Sequence, residues 1–129
     1  MTRIFRVDAE AIRARLREWA QCLGSEHSNV LAVVLFGSFA RGDYTAASDA
    51  DILIILQESP LRFDERIPLY RPRRIGVSVD VFPYTLAEAR QSFREGWGVT
   101  PVAVKEGEVL YCATGSLYEL LSCPTTPLL

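Results

Sequence analysis

Two unbroken apolar runs dominate the chain, VLAVVLF at 30–36 and ILIIL at 52–56. Both are short, rich in β-branched residues and bounded by polar or turn residues, so they predict two buried strands. The segment VSVDVF at 77–82 alternates with a period of two and predicts a third strand, ending at Pro83. Upstream, Asp8 reads as the N-cap of a helix over 9–23, with Ala11 or Ile12, Leu16, Trp19 and Leu23 near helical spacing and Gly24 as its stop. Glu10, Arg13, Arg15, Arg17 and Glu18 fall mostly on the solvated side of that helix. Downstream, Thr85 with Glu88 three residues on is a capping box, and it predicts a helix over 86–95 closed by Gly96 and Gly98.

The remaining segments are less regular. Pro68 and Pro72 forbid a long helix in 61–75, leaving a short helix or turn over 63–67 and an extended arm over 69–74. Residues 100–107 read as a helical turn with Pro101 at its first position, or else as a strand over 102–104; residues 108–111 read as an edge strand. After Gly115-Ser116, residues 117–121 are apolar enough for one helical turn before Pro124, Pro127, Leu128 and Leu129. The expected organisation is one domain over 1–115 and a C-terminal tail over 116–129 that either caps the core or docks on a partner.

Composition narrows the function classes. A net charge of −2 argues against a general nucleic-acid binder, whose phosphate contacts need an excess of Lys and Arg. The 129 residues leave no room for a second substrate-holding domain. No apolar run approaches a membrane span and the N-terminus has no signal-peptide core, so a cytoplasmic protein without a membrane partner is expected. Cys22, Cys112 and Cys123 show no metal-ligand spacing and read as reduced thiols. His27 is the sole histidine, which removes His-rich metal sites and most Ser-His or Cys-His nucleophile schemes.

The chemistry concentrates between the two apolar runs. Gly37 ends the first strand and allows close backbone approach to a ligand, although a plain strand-to-turn hinge explains it too. Ser38 offers a hydroxyl and an N–H at the start of a helical turn over 39–41, where an anion such as phosphate is favoured. Asp49 and Asp51, two apart at the mouth of the second strand, project from one face, and two like charges held together need a cation. Asp80 can join them from a neighbouring strand. Such carboxylates supply oxygen ligands for hard divalent ions such as two Mg²⁺, which in turn offset the charge of a triphosphate. Arg41 pairs either with a phosphate or with Asp43 or Asp49, and Ser48 braces the loop over 42–48. Arg71, Arg73 and Arg74 form the densest positive cluster, either reaching a triphosphate or an acidic partner, or forming a solvent-exposed arm.

Gly37-Ser38, ten residues, Asp49-Ala50-Asp51 and the later Val79-Asp80-Val81 together resemble the polymerase-β-type nucleotidyltransferase superfamily, specifically its minimal nucleotidyltransferase (MNT) branch. The segments GSFARG at 37–42 and SDADI at 48–52 carry the likeness, which spans 30–82 by motif and most of the chain by element order, including the late Gly107 and Leu110-Tyr111. The resemblance implies an α/β (α+β) polymerase-β-like palm, a small mixed sheet with helices packed on one side. It implies that Asp49 and Asp51 bridge two Mg²⁺ ions, that Asp80 binds one of them and helps deprotonate the attacking hydroxyl, and that Gly37, Ser38 and Arg41 bind nucleotide. It further implies transfer of AMP from ATP to a hydroxyl on a partner protein. MNT proteins are commonly paired with a helical HEPN ribonuclease toxin, so the chain is expected to act as its antitoxin, with a homo-oligomer a further option. The alternatives are a non-catalytic antitoxin that only occludes its partner, and a small-molecule (antibiotic) nucleotidyltransferase.

Overall fold

The computed structural model describes residues 2–42 and 49–122, with side chains from residue 9 onward. Residues 43–48, which include Asp43 and Ser48, and residues 123–129, which include Cys123, lie outside the described residues. In chain order the elements are α1 (Thr2–Glu26), β1 (Val30–Phe36), α2 (Ser38–Arg41), β2 (Ala50–Leu56), α3 (Phe63–Tyr70), β3 (Val79–Thr85), α4 (Leu86–Glu95), α5 (Thr100–Glu106), β4 (Glu108–Cys112) and α6 (Leu117–Ser122).

The strands form one mixed sheet in the order β3-β2-β1-β4. β1 runs antiparallel to β2 and to β4, while β2 and β3 are parallel. The two apolar runs are the central strands, and they are buried on both faces, which is why they read as continuous rather than alternating.

The class and the mixed sheet are those expected, but the helices are not confined to one side. Ala9, Ile12, Leu16 and Ala20 of α1 pack on one face against Val33, Leu35, Ile52, Ile54, Val79 and Val81. On the other face, Ala89 of α4, Ala103 of α5 and Leu117, Leu120 and Leu121 of α6 pack against Ala32, Val34, Leu53 and Ile55. A sheet whose central strands are apolar on both faces needs both covered.

Several boundaries differ from the sequence reading. α1 runs from Thr2 through Gly24 to Glu26, so Asp8 is no cap and Gly24 no stop. Gly24 serves packing instead, since a Cβ there would overlap the Tyr111 ring. β3 continues through Pro83 to Thr85; it is the edge strand, where a residue without an N–H is tolerated. α3 reaches Tyr70 with Pro68 inside its last turn. The α4 capping box is as expected: Glu88 N donates to Thr85 Oγ1 at 3.2 Å and Thr85 N donates to Glu88 Oε1 at 2.9 Å. At α5, Thr100 takes the first position and Pro101 the second.

Candidate active site

Strand parity places the carboxylates. Ala50, Ile52, Val79 and Val81 turn into the α1-side core. Asp51 and Asp80, alternating with them, therefore share the opposite face, as does Asp49 by the same alternation. β2 and β3 are parallel, and Asp51 and Asp80 are direct partners in their register. An Ala50 N–H to Ser78 carbonyl bond of 2.9 Å clamps the two strands at the mouth of the site. β1 arrives antiparallel, so its last residue, Phe36, is the partner of Asp51, and Gly37 follows at the same edge of the sheet.

Gly37 has φ 82° and ψ −155°, a conformation that L side chains avoid. A Cβ there would also overlap Asp51 Oδ2, so the turn and the carboxylate are in direct contact. Ser38 opens α2, whose Arg41 N–H bonds the Gly37 carbonyl at 3.0 Å. Phe39 anchors the turn in the α1-side core.

Asp51 is half-buried, whereas Asp49 and Asp80 are exposed. Burial raises the Asp51 carboxyl above its ordinary value, the charges of Asp80 and Asp49 raise it further, and Arg41 opposes them. The site thus holds concentrated negative charge, one carboxylate of which is strained by its neighbours. Among the described residues, no group of three Asp, Glu, His or Cys side chains is placed to hold a metal ion, so Asp49, Asp51 and Asp80 form at most an open set. An open set suits Mg²⁺, which commonly takes one or two carboxylates and completes its shell from phosphates and water.

Arg41 also has a partner outside those the sequence suggested. Its Nη1 donates to Glu106 Oε2 at the end of α5, at 2.7 Å, a partner 65 residues away that the sequence did not indicate. Behind the turn, Arg13 of α1 donates to the Phe39 carbonyl and to Glu108 Oε1, and Arg17 donates to Glu108 Oε2 at 2.6 Å. Arg15 donates to the Ile75 carbonyl at 2.8 Å. Glu10, Arg15, Arg17 and Glu18 are exposed as expected, and the three arginines also tie α1 to Phe39, Ile75 and the start of β4. No local pattern signals such pairs, because the partners are brought together only by the sheet. Arg71, Arg73 and Arg74 are exposed on the approach to β3, Arg74 with φ 59°.

The chain has counterparts among known proteins. Residues 16–107 match the nucleotidyltransferase domain family. The chain belongs to that family. A putative protein adenylyltransferase of Methanocaldococcus jannaschii is 32% identical over 97 residues, covering 74% of this chain and 94% of that protein. A crystal structure of a putative nucleotidyltransferase from Sulfolobus solfataricus matches this nucleotidyltransferase fold with a TM-score of 0.54 at 21% identity, over 84% of this chain and 90% of that one. A toxin-antitoxin structure with AMP-PNP matches with a TM-score of 0.46 at 17% identity, over 78% of this chain and 73% of that one. Nucleotidyltransferases act on a nucleotide with a divalent metal, which accords with the open acidic set. Among the described residues, no helix of this nucleotidyltransferase is long and apolar enough to cross a membrane.

Proposed function

We propose that the chain is a protein adenylyltransferase that moves AMP from ATP to a hydroxyl on a partner protein. The observation that carries this reading is the pairing of Asp51 with Asp80 across β2 and β3, beside the Gly37 turn that touches Asp51. In this reading Asp49, Asp51 and Asp80 hold two Mg²⁺ ions, which when bound neutralise phosphate charge and activate the acceptor oxygen. Gly37 and Ser38 seat the β- and γ-phosphates, Gly37 by presenting backbone with no side chain in the way. Arg41, already oriented by Glu106, supplies positive charge toward the same region.

The acceptor oxygen forms a bond to the α-phosphorus, the bond from that phosphorus to the bridging oxygen breaks, and pyrophosphate leaves. Asp80 is the exposed carboxylate of the pair, so it is placed to help take the hydroxyl proton while Asp51 remains shielded.

The acceptor belongs to another chain in this reading. The resemblance to the MNT branch favours a helical HEPN-type toxin, with this cytoplasmic chain as its antitoxin. The M. jannaschii relative's name supports a protein acceptor over a small molecule.

The test is incubation with Mg²⁺, ATP labelled at the α-phosphate and the protein that co-purifies on co-expression. Label should appear on the partner from α-labelled but not γ-labelled ATP, and be lost with Asp49→Asn plus Asp51→Asn. A doubly substituted chain that still neutralises its partner would instead favour occlusion.

A further inference from the structure

At the other end of β3 a cleft of about 310 Å³ is lined by Phe63, Tyr84, Glu88 and Trp97. Tyr84 lies four residues after Asp80 on the same face of the strand, roughly 13 Å away at the usual strand rise. The cleft is therefore separate from the nucleotide site.

Its walls are aromatic. Phe63 and Tyr84 have ring centroids 5.8 Å apart at 60°, and Tyr84 and Trp97 are 6.2 Å apart at 49°. Trp97 nevertheless remains 42% exposed, a costly place for an indole that contributes nothing further to the core.

The backbone is shaped to keep it there. Gly96 and Gly98 flank Trp97 with φ of 78° and 69°, and a Cβ on Gly98 would overlap the Tyr84 hydroxyl. The buried Ser92 hydroxyl donates to the Trp97 carbonyl, Trp97 N–H donates to the Ser92 carbonyl at 3.2 Å, and Val99 N–H donates to the Tyr84 hydroxyl at 3.3 Å.

The electrostatics favour a positive guest. Trp97 Nε1–H donates to Glu95 Oε1 at 2.9 Å, which places a carboxylate against the indole and enriches its face in electron density. Glu88 presents a carboxylate that is 41% exposed, while its partner Arg66 is 5% exposed and turns its other donors inward to the Leu61 and Pro83 carbonyls. Arg66 and Thr85 already donate to both Glu88 oxygens. Arg66 offsets the Glu88 charge, so the cleft offers ring faces, the Glu95 carboxylate on the indole N–H and few open hydrogen-bond acceptors. A primary ammonium, which needs three acceptors, would be poorly solvated there, whereas an alkylated ammonium needs none.

We propose that this cleft binds a small organic cation of the quaternary-ammonium class, enclosed by Phe63, Tyr84 and Trp97. The attraction is cation–π, with the Glu95 carboxylate on the indole N–H adding to it.

Calorimetric titration of the full chain with choline, and with its neutral isostere 3,3-dimethylbutan-1-ol, tests this without any nucleotide. The proposal expects saturable choline binding, with the isostere at least about tenfold weaker, a difference equivalent to ~1.4 kcal/mol. Trp97→Leu, which keeps apolar bulk but removes the indole face, should weaken choline by about the same factor. Phe63→Leu provides a second variant should Trp97→Leu fail to fold by circular dichroism. Equal binding of both compounds, no choline binding up to roughly 50 mM where even a ~4 kcal/mol interaction saturates, or unchanged affinity in both folded variants would overturn it.

Discussion

Asp51 and Asp80 are side-by-side partners in the parallel β2–β3 ladder, and the Asp51 carboxyl is held above its ordinary value of 3.8 by burial, by Asp80 and by Asp49. A carboxyl raised in the folded state costs stability once it ionises, so the cost is absent below the ordinary value and grows as pH rises through the raised one. Asp51→Asn should therefore raise the melting temperature of the nucleotide-free protein near neutral pH, by about 1–4 °C for a chain of this size. The advantage should vanish on acidification. Scanning calorimetry from about pH 3 to pH 8 covers this window. Added Mg²⁺ and ATP should stabilise the wild type and leave the variant unmoved.

Gly37→Ala places a Cβ against Asp51 Oδ2 at a φ of 82°. The strain should cost about 1–3 kcal/mol in urea unfolding. It should also weaken ATP binding, because the turn and the carboxylate can no longer approach each other. A variant with wild-type stability and nucleotide affinity would mean that the close approach is incidental.

Arg13 ties α1 to the Phe39 carbonyl of the α2 turn and to Glu108. Arg13→Ala removes a charged donor from the turn's support while touching no candidate metal ligand. The KM for ATP should rise about 3- to 10-fold, the size of one net hydrogen bond, with kcat changed less. Steady-state pyrophosphate release measures both.

Glu88 neutralises Arg66, which is almost fully buried, and the Arg66 hydrogen bonds together with the Thr85 N–H hold the Glu88 carboxyl below its ordinary value of 4.5. The stabilisation is present above that value and lost as pH falls through the lowered one. Glu88→Gln should destabilise the fold by about 1–3 kcal/mol at neutral pH, less than for a fully buried pair because Glu88 is solvent-screened. The gap between wild type and variant should close in acid, as measured by denaturant unfolding at several pH values.

Much of this arrangement is written locally. The apolar runs specify the two central strands, the Thr85 and Glu88 pair announces α4, and the two-residue spacing of Asp49 and Asp51 puts them on one face before any neighbour is known. What escapes a linear reading depends on partners distant in the chain. Gly24 looks like a helix stop until Tyr111 packs on it, and Pro83 looks like a strand end until β3 is seen at the sheet edge. Arg13 and Glu108, 95 residues apart, have no shared local signal. The one-sided arrangement of helices follows from the family resemblance, whereas the unbroken apolar runs themselves signal strands buried on both faces.

The most direct test is intact-mass spectrometry of the partner protein co-expressed with this chain. With the wild type, the partner should gain the mass of at least one AMP on a hydroxyl side chain; with Asp80→Asn, it should still co-purify but remain unmodified. A partner recovered unmodified with the wild type under conditions where it is neutralised, or equally modified with Asp80→Asn, would contradict the assignment of Asp49, Asp51 and Asp80 to AMP transfer.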